Sequence, residues 1–433
     1  MDFSKKRVRN QSERISHSEN NRNLKGSTTG YESILIEKAF QTQPAQLAEP
    51  FAETNYEEEL NVKHLAFDDY CKSSGIKATP LPILPSPKPR GYRTTTKRRV
   101  FFKGKTRLIL SEDFNRKVDF STSHLEPESH TYIYQSLYEK LNSPAFRLAA
   151  AHLNHIIIRG SYSEHSVIFN IDEFSGEIIR KFKLLADHLK QLPLKNATVI
   201  SSFLFLDPSR SEYYFEQKRP ESGVAFKLLY GPPFLFLKLN SLKLSYAPTS
   251  FSQVNESILP EFISCIESFL PKPKVGERIR LLDLYSGYGL FTHHFSKNYS
   301  EVIGIDSSKE SIDSAKKNSE FVASQGPVKF YSGRISSQSL KRFLPPFSPS
   351  IQECIILDPP RMGVDSGVID FLASRKPKRV IHIFCGTESI PSEIEQWEKS
   401  GYQLKTLQPV DMFAGTLNLE VIAVLDPKNT RSI

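Results

Sequence analysis

The spacing of apolar residues changes its grammar along the chain, and each change marks a boundary. Residues 1–60 are rich in Ser, Asn and Gln and hold no sustained period, which predicts a loosely ordered polar leader. From 61 to 248, alternating runs such as "HIIIRGSYSEHSVIFNI", "GVAFKLLYG" and "FLFLKLNSLKLSYAP" accompany one helical stretch, "IIRKFKLLADHLKQL". Apolar residues at every second position make strands with one buried face, so this part reads as a central α+β domain, an antiparallel sheet with helices on one side. A Pro-rich connector, "TPLPILPSPKPRGY", interrupts it early and cannot be helical throughout. From 249 to 433 a helical segment, "ESILPEFISCIESFL", precedes five strand-like runs: "RIRLLDLY", "EVIGID", "VKFY", "ECIILD" and "RVIHIF". Most are followed by a loop and a helical stretch. That alternation predicts an α/β domain with a doubly wound parallel sheet, its ligands gathered at the carboxyl ends of the strands.

Charge adds a partner. The chain of 433 residues carries a formal net charge of +9, which favours a polyanion, nucleic acid first. Nine Lys or Arg and no acid fall between Lys88 and Arg107, in "KPRGYRTTTKRRVFFKGKTR". The segment alternates like a strand, and Arg93, Lys97, Arg98 and Arg99 are its candidate phosphate contacts. The alternative is a solvated sheet edge blunted by cations. "MDFSKKRVRN" leads into no apolar segment, and no run reaches the roughly 18 apolar residues of a membrane span. The four cysteines have no CxxC spacing, so neither a disulfide frame nor a metal site is expected, and a reducing cytoplasm fits.

The candidate chemistry sits at predicted strand ends. "LLDLYSGYGLFT" reads as strand, Gly loop and helix, with Gly287 and Gly289 allowing a sharp turn and a close ligand approach. Seventeen residues past Gly289, Asp306 ends the second strand, where a carboxylate accepts hydrogen bonds from a ribose diol. Thr292 stands where a dinucleotide fingerprint needs its third Gly, and the acidic strand end suits a cationic amino-acid group better than pyrophosphate. A sulfonium methyl donor is therefore favoured over a dinucleotide; the competing role for Asp306 is a helix cap. Asp358 ends another strand in "IILDPPRMG", before a stiff Pro–Pro turn and Arg361. Cys385 follows 27 residues later at the next strand end. By itself it reads as well as a buried thiol as a nucleophile. A cysteine beside a methyl donor suits covalent activation of carbon 5 of uracil: thiolate adds at carbon 6, and a carboxylate later removes the carbon 5 proton.

At this point the sequence resembles a family, the RNA uracil-5 methyltransferases acting on tRNA and 23S rRNA. "SFSQVN" is similar to its F-x-Q-V-N, "DLYSGYG" to its D-L-[FY]-C-G-x-G, "LDPPRMG" to its D-P-P-R-x-G, and "FCGT" to its S-C-N-P. "DMFAGTLNLE" resembles D-M-F-P-x-T-x-H-x-E, and "SPKPRGYRTTTKRRV" a basic segment upstream. The resemblance implies a Rossmann-like C-terminal methyltransferase domain using S-adenosyl-L-methionine, joined to a central RNA-binding domain. It implies donor contacts at Gln253, Tyr285, Gly287, Gly289, Asp306 and Asp358, Cys385 as nucleophile and Glu420 as proton-abstracting base. Arg361 joins the RNA-contacting set. The D-M-F form is closer to the rRNA branch than to the tRNA branch.

The departures are specific. Gly386 and Thr387 replace Asn–Pro after the nucleophile, Ser286 replaces the loop Cys, and Asn418 replaces a His. Only Cys71 lies where rRNA enzymes carry a four-cysteine cluster, so no iron–sulfur cluster is expected. His293 and His294 read as surface or interface residues, Trp397 as packing, and Cys265 and Cys354 as core. The expected protein is a cytoplasmic monomer that methylates carbon 5 of a uridine in rRNA, with no membrane partner. The competing readings are a tRNA-specific enzyme, a catalytically silent RNA-binding relative and a cysteine-independent methyltransferase.

Overall fold

The structure, a computed structural model, describes residues 30–40, 48–110, 113, 117–210, 225–322 and 326–428. Of the leader expected over 1–60, residues 1–29 and 41–47 lie outside the described residues. The rest is docked. Helix α1 (Tyr31–Ala39) buries Tyr31 and Leu35, and Phe51 is buried in the turn that follows. Helix α2 (Tyr56–Ser73) begins at Asn55, whose side chain accepts the N–H groups of Glu57 and Glu58. Three glutamates in its first turn complement the helix dipole. Both helices pack into the core of the C-terminal sheet, with Tyr31, Phe67 and Tyr70 among Leu282, Ile355 and Val421. The boundary at 61 therefore moves: residues 56–73 belong with the C-terminal core, and the central sheet starts only at Thr96.

That central sheet comprises β1 (Thr96–Lys103), β2 (Lys105–Ile109), β3 (Leu153–Gly160), β4 (Glu164–Ile171), β5 (Thr198–Leu206) and β6 (Ala225–Tyr230), in the order β2-β1-β3-β4-β5-β6. Helices α3 (Glu128–Leu141), α4 (Arg147–His152) and α5 (Gly176–Lys190) cover one apolar face, where Leu137, Phe182 and Leu185 meet Ile156, Val167 and Phe169. All pairs are antiparallel but β4 and β5, which run parallel because α5 carries the chain back between them.

Strand β1 shows the expected alternation, and the alternation corrects one assignment. Thr96, Arg98 and Val100 are buried, whereas Lys97 and Arg99 face the other way and are half-buried. Arg98 is 1% exposed; its Nη2 donates to both oxygens of Glu126 at 2.7 Å and its Nε to the Ser121 carbonyl. Its guanidinium also lies over the Tyr134 ring. Arg98 holds the domain together and is unavailable to a phosphate.

A hairpin of β7 (Leu235–Leu239) and β8 (Leu242–Tyr246) leads to the second domain. There α6 (Leu259–Phe269), β9 (Ile279–Leu284), α7 (Leu290–Phe295), β10 (Glu301–Asp306), α8 (Lys309–Asn318), β11 (Val328–Ser332), α9 (Ser337–Phe343), β12 (Gln352–Leu357), α10 (Val368–Ser374), β13 (Arg379–Phe384), α11 (Ile390–Lys399), β14 (Tyr402–Val410) and β15 (Glu420–Pro427) follow. The sheet order is β11-β10-β9-β12-β13-β15-β14. Both faces are covered: Leu282, Ile303 and Ile355 pack on one side, Leu281, Val302 and Ile356 on the other, which is why these strands read as unbroken apolar runs. The sheet is not wholly parallel. β15 runs antiparallel to both β13 and β14, as the short connection from β14 requires. Among the described residues no helix is long and apolar enough to cross a membrane.

Replacing Arg98 leaves Glu126 charged and unpaired in the interior. Arg98→Ala is expected to lose about 3–5 kcal/mol of stability, while Lys97→Ala, at a half-buried residue on the other face, is expected to lose at most about 1 kcal/mol. Denaturant unfolding of the two variants measures the contrast, and equal losses would refute it.

Candidate active site

The glycine loop is built by a constrained backbone at the tip of β9. Tyr285 takes φ +66°, and the N–H groups of Tyr285 and Ser286 both donate to the Ile305 carbonyl. Gly287 and Gly289 also have positive φ; a Cβ on Gly289 would approach the Phe330 ring to 2.9 Å. Asp283 accepts the Thr292 N–H at 2.9 Å and its hydroxyl at 2.5 Å, so the residue that breaks the dinucleotide pattern has its own task here. Burial pushes the Asp283 carboxyl up to about 7 against those two donors, and its Oδ1 has no partner. The Ser286 hydroxyl is likewise buried without one. Asp306 accepts the Gly287 N–H at 2.9 Å on one oxygen and the Ser308 N–H at 2.7 Å on the other. Ser308 caps α8 with its own hydroxyl, and the Ser307 N–H also favours the Asp306 carboxylate. A ligand carrying a cationic amine and a ribose diol finds acceptors at these two carboxylates.

His293 departs from the expected surface position. It is 3% exposed, and its Nε2–H donates to the Ala315 carbonyl, so it ties α7 to α8. Trp397 is wholly buried, with its indole N–H on His382.

Asp358, Cys385 and Glu420 converge one strand further along. Asp358 donates its N–H to the Leu284 carbonyl, beside the glycine loop. Burial, then the charges of Asp283 and Asp306, raise its carboxyl to about 7. In the β13–β15 ladder Phe384 pairs with Val421, so the next step of the register sets Cys385 opposite Glu420. Glu420 is 1% exposed, and burial and Asp358 push its carboxyl well above the usual range. Its Oε1 has no partner. Cys385 is half-buried, and burial, then Glu420 and Asp358, raise its thiol to about 11. The opposing influence is Arg361, whose exposed guanidinium also donates to Asn418 Oδ1 at 2.9 Å. Asn418 thus has work at the position of the family's His.

The remaining motifs are stitched to this cleft. Asn255 donates to the Met412 carbonyl and to Ser86, joining the segment of Gln253 to the loop before Glu420. Arg93 bridges to Asn255, and the Thr94 N–H donates to the Val254 carbonyl. The basic segment therefore starts against the Gln253 motif, and Arg93, Lys97 and Arg99 share one face of it.

One cluster escaped the sequence reading. Lys63 Nζ lies 2.7 Å from Glu59 and 2.8 Å from Asp411 with no exposed surface, and Arg90 and the Gly415 N–H complete Glu59. Tyr56 donates to the second oxygen of Asp411. Further along α2, the Tyr70 hydroxyl donates to the Thr387 carbonyl at 2.5 Å. The signal was there: Tyr56, Glu59, Lys63 and Tyr70 fall on one helical stripe. Among the described residues no group of three His, Cys, Asp or Glu is arranged to hold a metal.

Residues 236–428 match the family model described as tRNA (uracil-5-)-methyltransferase. An uncharacterized RNA methyltransferase of Lactococcus lactis is 24% identical over 391 residues, which cover 87% of this chain and 80% of that protein. The 23S rRNA (uracil(1939)-C(5))-methyltransferase of Shewanella halifaxensis is 32% identical over 197 residues, 46% of this chain and 42% of that protein. A solved structure, Pyrococcus abyssi tRNA (uracil-54, C5)-methyltransferase in complex with S-adenosyl-L-homocysteine, shares the fold. Its TM-score is 0.64 at 20% identity, over 89% of this chain and 87% of that one. The matched span, somewhat under half of the chain, holds every strand-tip residue from Asp283 to Glu420, and over it the chain resembles the tRNA (uracil-5-)-methyltransferase family.

Proposed function

We propose that the protein methylates carbon 5 of a uridine in RNA, 23S rRNA before tRNA, through a covalent adduct on Cys385. The observation that carries this reading is the meeting of three groups at the strand tips: Cys385 and Glu420 lie one step beyond the last β13–β15 pair, Phe384 with Val421, close enough for Glu420 to shift the thiol, and Asp358 shifts both. The rRNA preference leans on the likeness to the Shewanella enzyme, the tRNA alternative on the family model's description.

The residues fit S-adenosylmethionine. Asp306 would hold its ribose diol, the partnerless Asp283 Oδ1 its ammonium group, and Gln253, Tyr285, Gly287, Gly289 and Asp358 would line the rest. When bound, that group supplies an electrophilic methyl. Cys385 loses its proton and its Sγ bonds to carbon 6 of uracil, turning the 5,6 double bond into an enolate nucleophilic at carbon 5. Once carbon 5 carries the methyl, Glu420 takes its remaining proton, the double bond reforms and the thiolate leaves. Arg361 stabilises the thiolate, and Glu420 ionises more readily once a positive charge offsets Asp358. Arg93, Lys97 and Arg99 would track the RNA backbone towards the cleft.

With labelled donor and unmodified RNA, Cys385→Ala is expected to yield no 5-methyluridine in the nucleoside digest. Glu420→Gln is expected to accumulate protein–RNA adduct, because the carbon 5 proton stays in place. No labelled 5-methyluridine from rRNA or tRNA with the unmutated protein would leave the silent relative, which the Gly386–Thr387 replacement favours. Iodoacetamide alkylation of Cys385 is expected to climb with pH towards about 11, and the climb in Arg361→Ala to move higher still. A plateau below pH ~9, near an ordinary thiol's pKa, would contradict the raised value. Joint replacement of Lys97 and Arg99 by Ala is expected to flatten the salt dependence of RNA binding by about 0.7–0.9 log–log units per lost contact. An unchanged slope would return that face to a solvated edge.

A further inference from the structure

The nucleophile's loop carries no stiff residue of its own. Between the end of β13 and the start of α11 it runs Cys385-Gly386-Thr387-Glu388-Ser389, and glycine next to the thiol leaves the backbone many conformations. Pro391 stiffens the first turn of α11, but Ser389 makes no side-chain cap there. Yet Thr387 is 4% exposed, and its carbonyl accepts two hydrogen bonds. One comes from the Ile390 N–H at 3.3 Å, the other from the Tyr70 hydroxyl at 2.5 Å. Tyr70 is 3% exposed, and its ring packs edge-on against Tyr31 and beside Phe67, so it has few ways to move.

We propose that Tyr70 is a positioning residue for the methyl transfer, holding the Thr387 carbonyl so that the Cys385 thiol is fixed at the tip of β13. This deepens the proposed function and rests on it. Gly386 and Thr387 stand where the family has Asn–Pro, and the constraint a proline exerts within the loop is exerted here from another helix. Burial holds the Tyr70 phenol in its protonated, donating form. The same helix anchors the other half of the catalytic pair. Two turns earlier on α2, Lys63 holds Asp411 and Glu59 accepts the Gly415 N–H, in the loop that delivers Glu420. α2 therefore fixes nucleophile and base against one rigid element.

The test is Tyr70→Phe in the full chain, which keeps the ring and removes only the hydroxyl. The thermal midpoint and the KM for RNA are expected to stay close to the unmutated values. Covalent trapping on RNA containing 5-fluorouridine, with methyl donor present, is expected to slow at least tenfold, about 1.4 kcal/mol of barrier. Adding Gly386→Asn and Thr387→Pro to Tyr70→Phe stiffens the loop from within and is expected to restore most of that rate. Trapping at the unmutated rate in Tyr70→Phe overturns the proposal. So does failure of Tyr70→Phe to fold, which would assign the hydroxyl to the whole core. Alkylation of Cys385 against pH, measured without RNA, separates this proposal from the reading beneath it. A changed profile in Tyr70→Phe supports the positioning role even if the unmutated protein traps no RNA. An unchanged profile overturns it.

Discussion

Lys63 has no surface in contact with solvent, and its ammonium group lies between Glu59 and Asp411. Removing such a charge from water costs several kcal/mol, recovered only where geometry and extra hydrogen bonds complete both carboxylates. Here Arg90, Tyr56 and the Gly415 N–H complete them. The requirement acts on orientation: one placement of α2 satisfies all six groups, and a slip of one turn would leave charges buried and unpaired. Lys63 and Asp411 are 348 positions apart in sequence, so the condition ties the two ends of the chain together. Arg90 brings in the connector that leads to the basic strand. The cleft inherits its shape from this knot.

At the strand tips the balance is struck the other way. Asp283 and Glu420 are buried acids and Asp358 is a half-buried one, and each carboxyl is pushed up. An acid whose pKa is higher folded than unfolded weakens the fold as pH rises from its unfolded value, near 4, towards its folded one. For Asp283 and Asp358 that window runs up to about 7. A cation placed among these carboxyls would relieve them, and concentrating such strain at the site of chemistry is a common compromise between stability and activity.

Much of this was legible from residue order, for a physical reason. Parallel strands flanked by helices bring their carboxyl ends to one edge, so Tyr285, Asp306, Asp358 and Cys385 could be grouped before any coordinates were known. Direction and sidedness were not legible. Apolar runs look alike in either direction, so the antiparallel placement of β15 stayed hidden. Alternation along β1 divides its residues into two faces without saying which is inside, and charge alone pointed Arg98 the wrong way. His293 fared similarly, a polar residue buried by one carbonyl partner. The start of α2, "YEEEL", fell within the stretch read as a polar leader, because a buried salt-bridge network and an exposed polar run use the same letters.

The closeness of Cys385 to Glu420 is set by neighbouring strands, not by the 34 residues of chain between them. The length of that segment is therefore free to drift around α11 and the turn after it, away from the Thr387, Asp411 and Gly415 contacts and the β14 ladder. α11 can gain a turn, and the loop before β14 can lengthen, without parting the two groups. A single residue inserted within β13 or β15 is another matter, since it turns every later side chain to the opposite face. Tolerance to insertion should thus follow the ladder: permissive around α11 and the turn before β14, closed within β13, β14 and β15, whatever the chemistry of the inserted residue.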